Sequence, residues 1–381
     1  MEPNLNKISP DREKIYQQSK SIVIKVGSSL LVEDKLGAIK KEWFASFIED
    51  VIDLRKKGKT VIIVSSGAIN LGRKILNLRA NELTLEQEQA AASVGQIELS
   101  KEYQEHFKLK GLICSQVLIT LDDFTNRRRY LNCKSTLKTL LKFGVIPIVN
   151  ENDTVATDEI RYGDNDRLAA QVASICDSDL LILLSDIDGL YTESPKKSKN
   201  AVHIPFINEI TEEIELMAEG PENDFSNGGM KTKIEAAKVT TSVGCNLVIT
   251  NGQNRNPINN IFKMKATWFI ASQSVKAARK KWILNMKSLG EIIIDFKAEK
   301  ALKSGNSLLP VGAMKCIGIF TRGDVVTVKG EDGQIIAKGL VSFNQTETEK
   351  IMGLKSEEIS GVLGYNRKPE LIHRDNMAFF S

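Results

Sequence analysis

Ile22-Val23-Ile24-Lys25-Val26-Gly27-Ser28-Ser29 is the stretch on which the fold turns. A run of Ile and Val without polar alternation reads as a strand buried on both faces, as in a parallel sheet. The run carries a lysine beside Gly27, whose backbone a ligand can approach closely. Open parallel sheets bind ligands beyond the carboxyl ends of their strands. A cation at that edge suits an anionic ligand; a solvated lysine at a strand end is the alternative.

Further apolar runs lie at 61–64, 112–119, 145–149, 180–184 and 247–249. Helix-period segments separate them. The clearest covers 41–55, where Phe44, Phe47, Ile48, Val51, Ile52 and Leu54 form one stripe with charges opposite. Others lie at 85–107, 128–143, 164–175 and 229–242. This alternation predicts an α/β fold, a mainly parallel sheet sandwiched by helices, with right-handed crossovers that bring the strand-end loops to one edge. The pattern then changes. Short β-rich stretches at 292–294, 325–329 and 335–341, with turns such as Glu331-Asp332-Gly333, predict a small β-barrel-like domain. The expected organisation is an N-terminal extension over 1–20, an α/β domain over 21–285 and a β domain over 286–381. A basic helix with Lys276, Arg279, Lys280 and Lys281 precedes that boundary and reads as a solvated face.

The 381 residues are 42% hydrophobic and 26% charged, ordinary for a globular protein. A net charge of +4, from 52 basic and 48 acidic residues, argues for neither a nucleic-acid nor a membrane partner. The five cysteines form no C-x-x-C pair, and reduced thiols in the cytoplasm fit best. No apolar leader or membrane-length run is present. Gly58-Lys59-Thr60 imitates the end of a P-loop, but Asp53 stands where that loop needs its first glycine. No G-x-G-x-x-G occurs, and His106, His203 and His373 are too scattered to be a metal set.

Several segments follow predicted strands and share an edge with Lys25. Ser65-Ser66-Gly67-Ala68 is a small-residue turn opening a helix, which leaves backbone N–H groups for an anion. Asn150-Glu151-Asn152-Asp153-Thr154 crowds polar groups at a strand end, more than an Asx-turn needs, and suits a substrate ammonium and carboxylate. In Gly163-Asp164-Asn165-Asp166-Arg167, Asp164 can cap the following helix. Asp166 is then surplus, and can orient lysines or approach a metal. Ser185-Asp186 ends another strand in a turn that can hold a nucleotide. Asn227-Gly228-Gly229-Met230-Lys231-Thr232-Lys233 enters a helix; its glycines admit a phosphate chain and Lys233 adds a positive charge.

Taken in order, IVIKVGSS, SSGAI, NENDTVAT, GDNDRLAA, SDIDGLYT and GGMKTK resemble the amino acid kinase family, most closely its branch acting on the side-chain carboxylate of free glutamate. SGNSLLPVGAMKCIG, FTRGDVV and GVLGYN are similar to a PUA domain. The resemblance implies ATP and Mg²⁺ as cofactors, with Mg²⁺ held mainly by the phosphates rather than by protein side chains. It implies L-glutamate as substrate, the first step of proline synthesis, and a cytoplasmic homo-oligomer, dimer or tetramer. It assigns catalysis to Lys25, Lys233 and Asp166, and glutamate binding to Ser66, Asp153 and Asn165. ATP binding falls to Lys25, Ser185, Asp186 and the segment Asn227, Gly228, Gly229, Met230, Lys231, Thr232 and Lys233. The family often has Thr where this chain has Asn227. Acetylglutamate, aspartate or uridylate kinases are the alternative within the family, and RNA binding through the PUA domain is the alternative outside it. Basic and acidic side chains are equal in number over 289–381, which speaks against RNA.

Overall fold

The 22–26 run is the core of an inner strand, β1 (Ser21–Val26), with β2 (Thr60–Ser65) and β5 (Leu180–Ser185) parallel to it on either side. The computed structural model describes residues 11–33, 37–78, 83–155, 165–195, 198–218 and 229–380. Further strands are β3 (Cys114–Ile119), β4 (Ile146–Glu151), β6 (Leu190–Tyr191), β7 (His203–Ile204), β8 (Phe206–Ile207), β9 (Asn246–Asn251) and β10 (Ala266–Phe269). All but β6 and β7 join an eight-stranded sheet in the order β3-β4-β2-β1-β5-β9-β10-β8, while β6 and β7 pair separately. The six sequence-predicted runs are its parallel strands β1 to β5 and β9. Strand β10 runs antiparallel to β9. Its short run, Ala266-Thr267-Trp268-Phe269, carries no periodicity that separates it from a loop.

Side-chain parity divides the core in two. Ile22, Ile24, Val61, Ile63, Leu180 and Ile182 face one hydrophobic cluster with the Lys41–Lys56 helix. Val23, Ile62, Val64, Leu181 and Leu183 face the other, with the helices Asn165–Cys176 and Met230–Ser242. Successive strand residues point to opposite faces. Lys25 therefore shares the face of Val23, beneath those two helices. This parity brings the three charged residues of the site together.

On the first face, the Ala68–Ile75 and Leu85–Lys108 helices touch backbone to backbone. A Cβ on Gly95 would lie 1.8 Å from the Ala68 carbonyl oxygen, and one on Gly72 would lie 1.8 Å from that of Ala91. A glycine inside a helix costs about 1 kcal/mol relative to alanine and so needs a packing reason; here it is the crossing. The Gly95→Ala variant should lose about 1–3 kcal/mol of stability as the helices are forced apart. A urea midpoint equal to wild type would show that the crossing yields freely.

The second compact unit, Lys276–Ser381, holds β11 (Gly290–Ile294), β12 (Ala313–Gly318), β13 (Val325–Lys329), β14 (Ile335–Leu340) and β15 (Met377–Phe379) in one five-stranded sheet ordered β12-β11-β13-β14-β15. Its core gathers Ile292, Ile294, Val326, Val328, Phe343, Ile351 and Ile372. The basic helix, Val275–Asn285, buries Ala278 and Ile283 and exposes Lys276, Lys280 and Lys281. Among the described residues no helix is long and apolar enough to cross a membrane.

Candidate active site

A cavity of about 250 Å³ opens at the carboxyl ends of β1, β2, β4 and β5. Lys25, Ser66, Gly67, Asn150, Asp153, Asn165, Ser185, Asp186 and Lys233 all line it. At its base Asp166 bridges two lysines: Oδ1 lies 2.7 Å from the Lys25 Nζ, and Oδ2 accepts a hydrogen bond from the Lys233 Nζ at 2.9 Å. The Asp166 side chain is fully buried, and those of Lys25 and Lys233 are 11% and 4% exposed. Burial alone would raise the Asp166 carboxyl, but the two ammonium groups outweigh it and hold the group below the usual carboxylate range. Two cations against one carboxylate leave this buried trio net positive. Arg167 joins the same two helices from outside, its Nε donating to the Glu235 Oε2 at 2.7 Å.

The opposite wall is a polar network. The Asn165 Nδ2 donates to the Ser66 Oγ at 2.5 Å and to the Asn150 Oδ1 at 3.3 Å. The Asn150 Nδ2 donates in turn to the Gln96 Oε1 at 2.8 Å. Gln96 follows Gly95 directly, so the close helix crossing also fixes this amide. Nearby, Tyr103 donates to the Ser65 Oγ at 3.0 Å from a fully buried site. Burial, with the Glu88 carboxylate adding to it, pushes the Asp153 carboxyl up to about 6.

Turn geometry supplies donors. Gly67, at φ 108°, starts the Ala68–Ile75 helix, and Gly229 starts the Met230–Ser242 helix. Neither start has a side-chain cap or an acidic residue in its first turn. Such helix ends present backbone N–H groups and a partial positive charge to an anion. The Ser185 hydroxyl donates to the Asp186 Oδ1 at 3.0 Å, and the strand end is held by the Gly252 N–H, which donates to the Ser185 carbonyl at 2.8 Å. Thr232 donates its hydroxyl to the Gly229 carbonyl at 2.7 Å, and Lys231 is exposed. Met230 is half-buried against the second-face core. Asn227, Gly228 and Asp164 lie outside the described residues.

The structure thus brings Lys25, Asp166, Lys233, Ser66, Asn165, Asp153, Ser185 and Asp186 to one cavity. It adds residues the sequence reading did not single out. Arg73 and Glu88 line the wall, and Gln96 supports it. A glycine placed inside the 85–107 helix-period segment was the signal for the last; nothing local marks the first two.

Phosphoryl transfer suits these features: buried lysines, a carboxylate to position them, and uncapped helix starts at a parallel-sheet edge. The model for the amino acid kinase family matches residues 20–251, and that for the PUA domain matches 290–363. Glutamate 5-kinase of Paracoccus denitrificans is 49% identical over 361 residues, covering 94% of this chain and 97% of that protein. The Roseobacter denitrificans enzyme of the same name is 50% identical over 358 residues, covering 94% and 96%. That of Paramagnetospirillum magneticum is 46% identical over 361 residues, covering 94% and 97%. The chain belongs to the amino acid kinase family, and within it to the group of the glutamate 5-kinases.

Proposed function

We propose that this chain transfers the γ-phosphoryl group of ATP to the side-chain carboxylate of L-glutamate, giving L-glutamyl 5-phosphate for proline synthesis. The Lys25–Asp166–Lys233 bridge at the cavity base is the observation that carries this reading. The acceptor carboxylate is ionised near pH 7 and needs no general base. The barrier is repulsion between it and an anionic triphosphate, so catalysis is positioning and charge neutralisation.

The donor set fits the nucleotide. Lys25 and Lys233 would face the transferring group, Asp166 would hold their ammonium groups in place, and the helix starts at Gly67 and Gly229 would offer N–H donors. Ser185, Asp186 and the described part of the 227–233 segment would hold the remainder of ATP. Mg²⁺ would sit on phosphate oxygens and neutralise charge there. Ser66 and Asn165 would place the acceptor carboxylate, with Asp153 on the substrate ammonium.

The testing experiment incubates the protein with ATP, Mg²⁺ and hydroxylamine and traps the acyl phosphate as a hydroxamate. L-Glutamate should give product and N-acetylglutamate very little; the reverse preference would overturn the assignment. The Asp153→Ala variant should raise the KM for glutamate about tenfold or more, the weight of one hydrogen bond between charged groups. Because Asp153 titrates near 6, the wild-type KM should climb as pH falls through that value and the ammonium loses its anionic partner. A flat KM from pH 5 to pH 8 (roughly one unit below that value to two above) would remove Asp153 from the substrate site.

A further inference from the structure

We propose that Glu88 is a binding residue for the α-ammonium group of the amino-acid substrate, acting with Asp153 at the cavity wall and selecting free amino acids over N-acylated ones. This rests on the glutamate reading above and extends it to a residue outside the recognised motifs.

A glutamate whose side-chain carboxylate meets the lysine pair still carries an ammonium and a carboxylate at its other end. Besides Lys25 and Lys233, the cavity lining offers both complements: Arg73 carries a cation, while Glu88, Glu151, Asp153 and Asp186 carry carboxylates. Glu88 stands in the first turns of the Leu85–Lys108 helix, but that helix start is already closed. Thr84 accepts from the Gln87 N–H, and the Gln87 side chain accepts from the Thr84 N–H, a complete capping box. Glu88 has no capping duty left, and its half-buried side chain borders the cavity.

Its charge is felt at Asp153, where it adds to burial in raising the carboxyl. Two carboxylates that repel each other in the free site are relieved when a cation enters between them. An N-acylated substrate brings no cation and would leave both desolvated. The other charged groups at the cavity are Arg73 from the Ala68–Ile75 helix, Glu151 from β4, Asp186 just after β5, and the Asp166–lysine trio at the base.

The test compares the full-length wild type with the Glu88→Gln variant across pH, using glutamate as substrate and glutarate as competitive inhibitor. Glutarate keeps both carboxylates and lacks the ammonium. The variant should show a KM for glutamate raised about tenfold at neutral pH, with kcat changed far less. The rise in KM on acidification should move to lower pH, because Asp153 has lost a repelling neighbour. The inhibition constant of glutarate should stay level or fall. A KM unchanged in the variant overturns the proposal. So does a glutarate constant that rises in step with KM, which would mark general damage to the wall. A wild type that forms no hydroxamate from glutamate fails the substrate reading itself, and with it this extension. A working wild type and an indifferent variant fail only the role of Glu88.

Discussion

Lys233→Ala is expected to lower kcat by about 10²–10³ with a much smaller change in the KM for glutamate. The Lys233 side chain is 4% exposed and its ammonium is held on Asp166, so it is already oriented before reaction and needs no reorganisation as charge moves. Such a preorganised cation acts on the charge that shifts in the transition state, and an alanine leaves a gap that water fills with mobile dipoles. Lys25→Ala should behave alike, since its Nζ holds the other carboxylate oxygen of the same residue. The double variant should lose less than the product of the two single effects, because groups acting as one unit are not additive. Near-normal turnover in either single variant would end the proposed mechanism. Hydroxamate formation under saturating ATP and glutamate is the measurement.

Asp166→Asn should be the most destabilising change in the site, by about 3 kcal/mol or more. The replacement keeps the volume but takes the carboxylate from two buried ammonium groups, and its amide nitrogen turns a donor toward one of them. The sign with pH follows from the depressed carboxyl. Asp166 is ionised in the folded state below the pH at which it ionises in the unfolded chain. Its contribution is therefore present above the unfolded value of about 3.9 and is lost as pH falls through the lower folded value. Urea midpoints of wild type and variant should differ clearly at neutral pH and converge in acid. A gap that stays constant down to pH ~3 would mean packing, not charge, sets the loss. Activity should fall as well, because the lysines lose the carboxylate that aims them.

Much of this site was readable in the chain. The strands that feed the cavity are apolar runs, and the motif residues sit near the ends of such runs or at the starts of the helices that follow. Lys25, Asp166 and the segments that hold Ser66, Asp153, Asn165 and Ser185 stand out that way, since hydrophobic periodicity and turn chemistry are local properties. The separate roles of Ser66, Asp153, Asn165 and Ser185 came from the family resemblance. Strand β10 was missed because four residues carry too little pattern. Its antiparallel pairing with β9 depends on a partner, not on its own sequence. Arg73 and Glu88 were missed for a related reason. On a helix they look like any solvated charge, and only the folded structure places them on the cavity wall.

The sequence by itself determined the order of strands and helices and which polar groups stand at the carboxyl edge, because those follow from repeat lengths of two and 3.6 residues. Tertiary structure alone decided that Lys25, Asp166 and Lys233 meet. Their contact requires one strand and two helices, far apart in the chain, to pack on the same face of the sheet. It also decided the charge states: whether a carboxyl is held down, as at Asp166, or pushed up, as at Asp153, depends on burial and on neighbours brought together by folding.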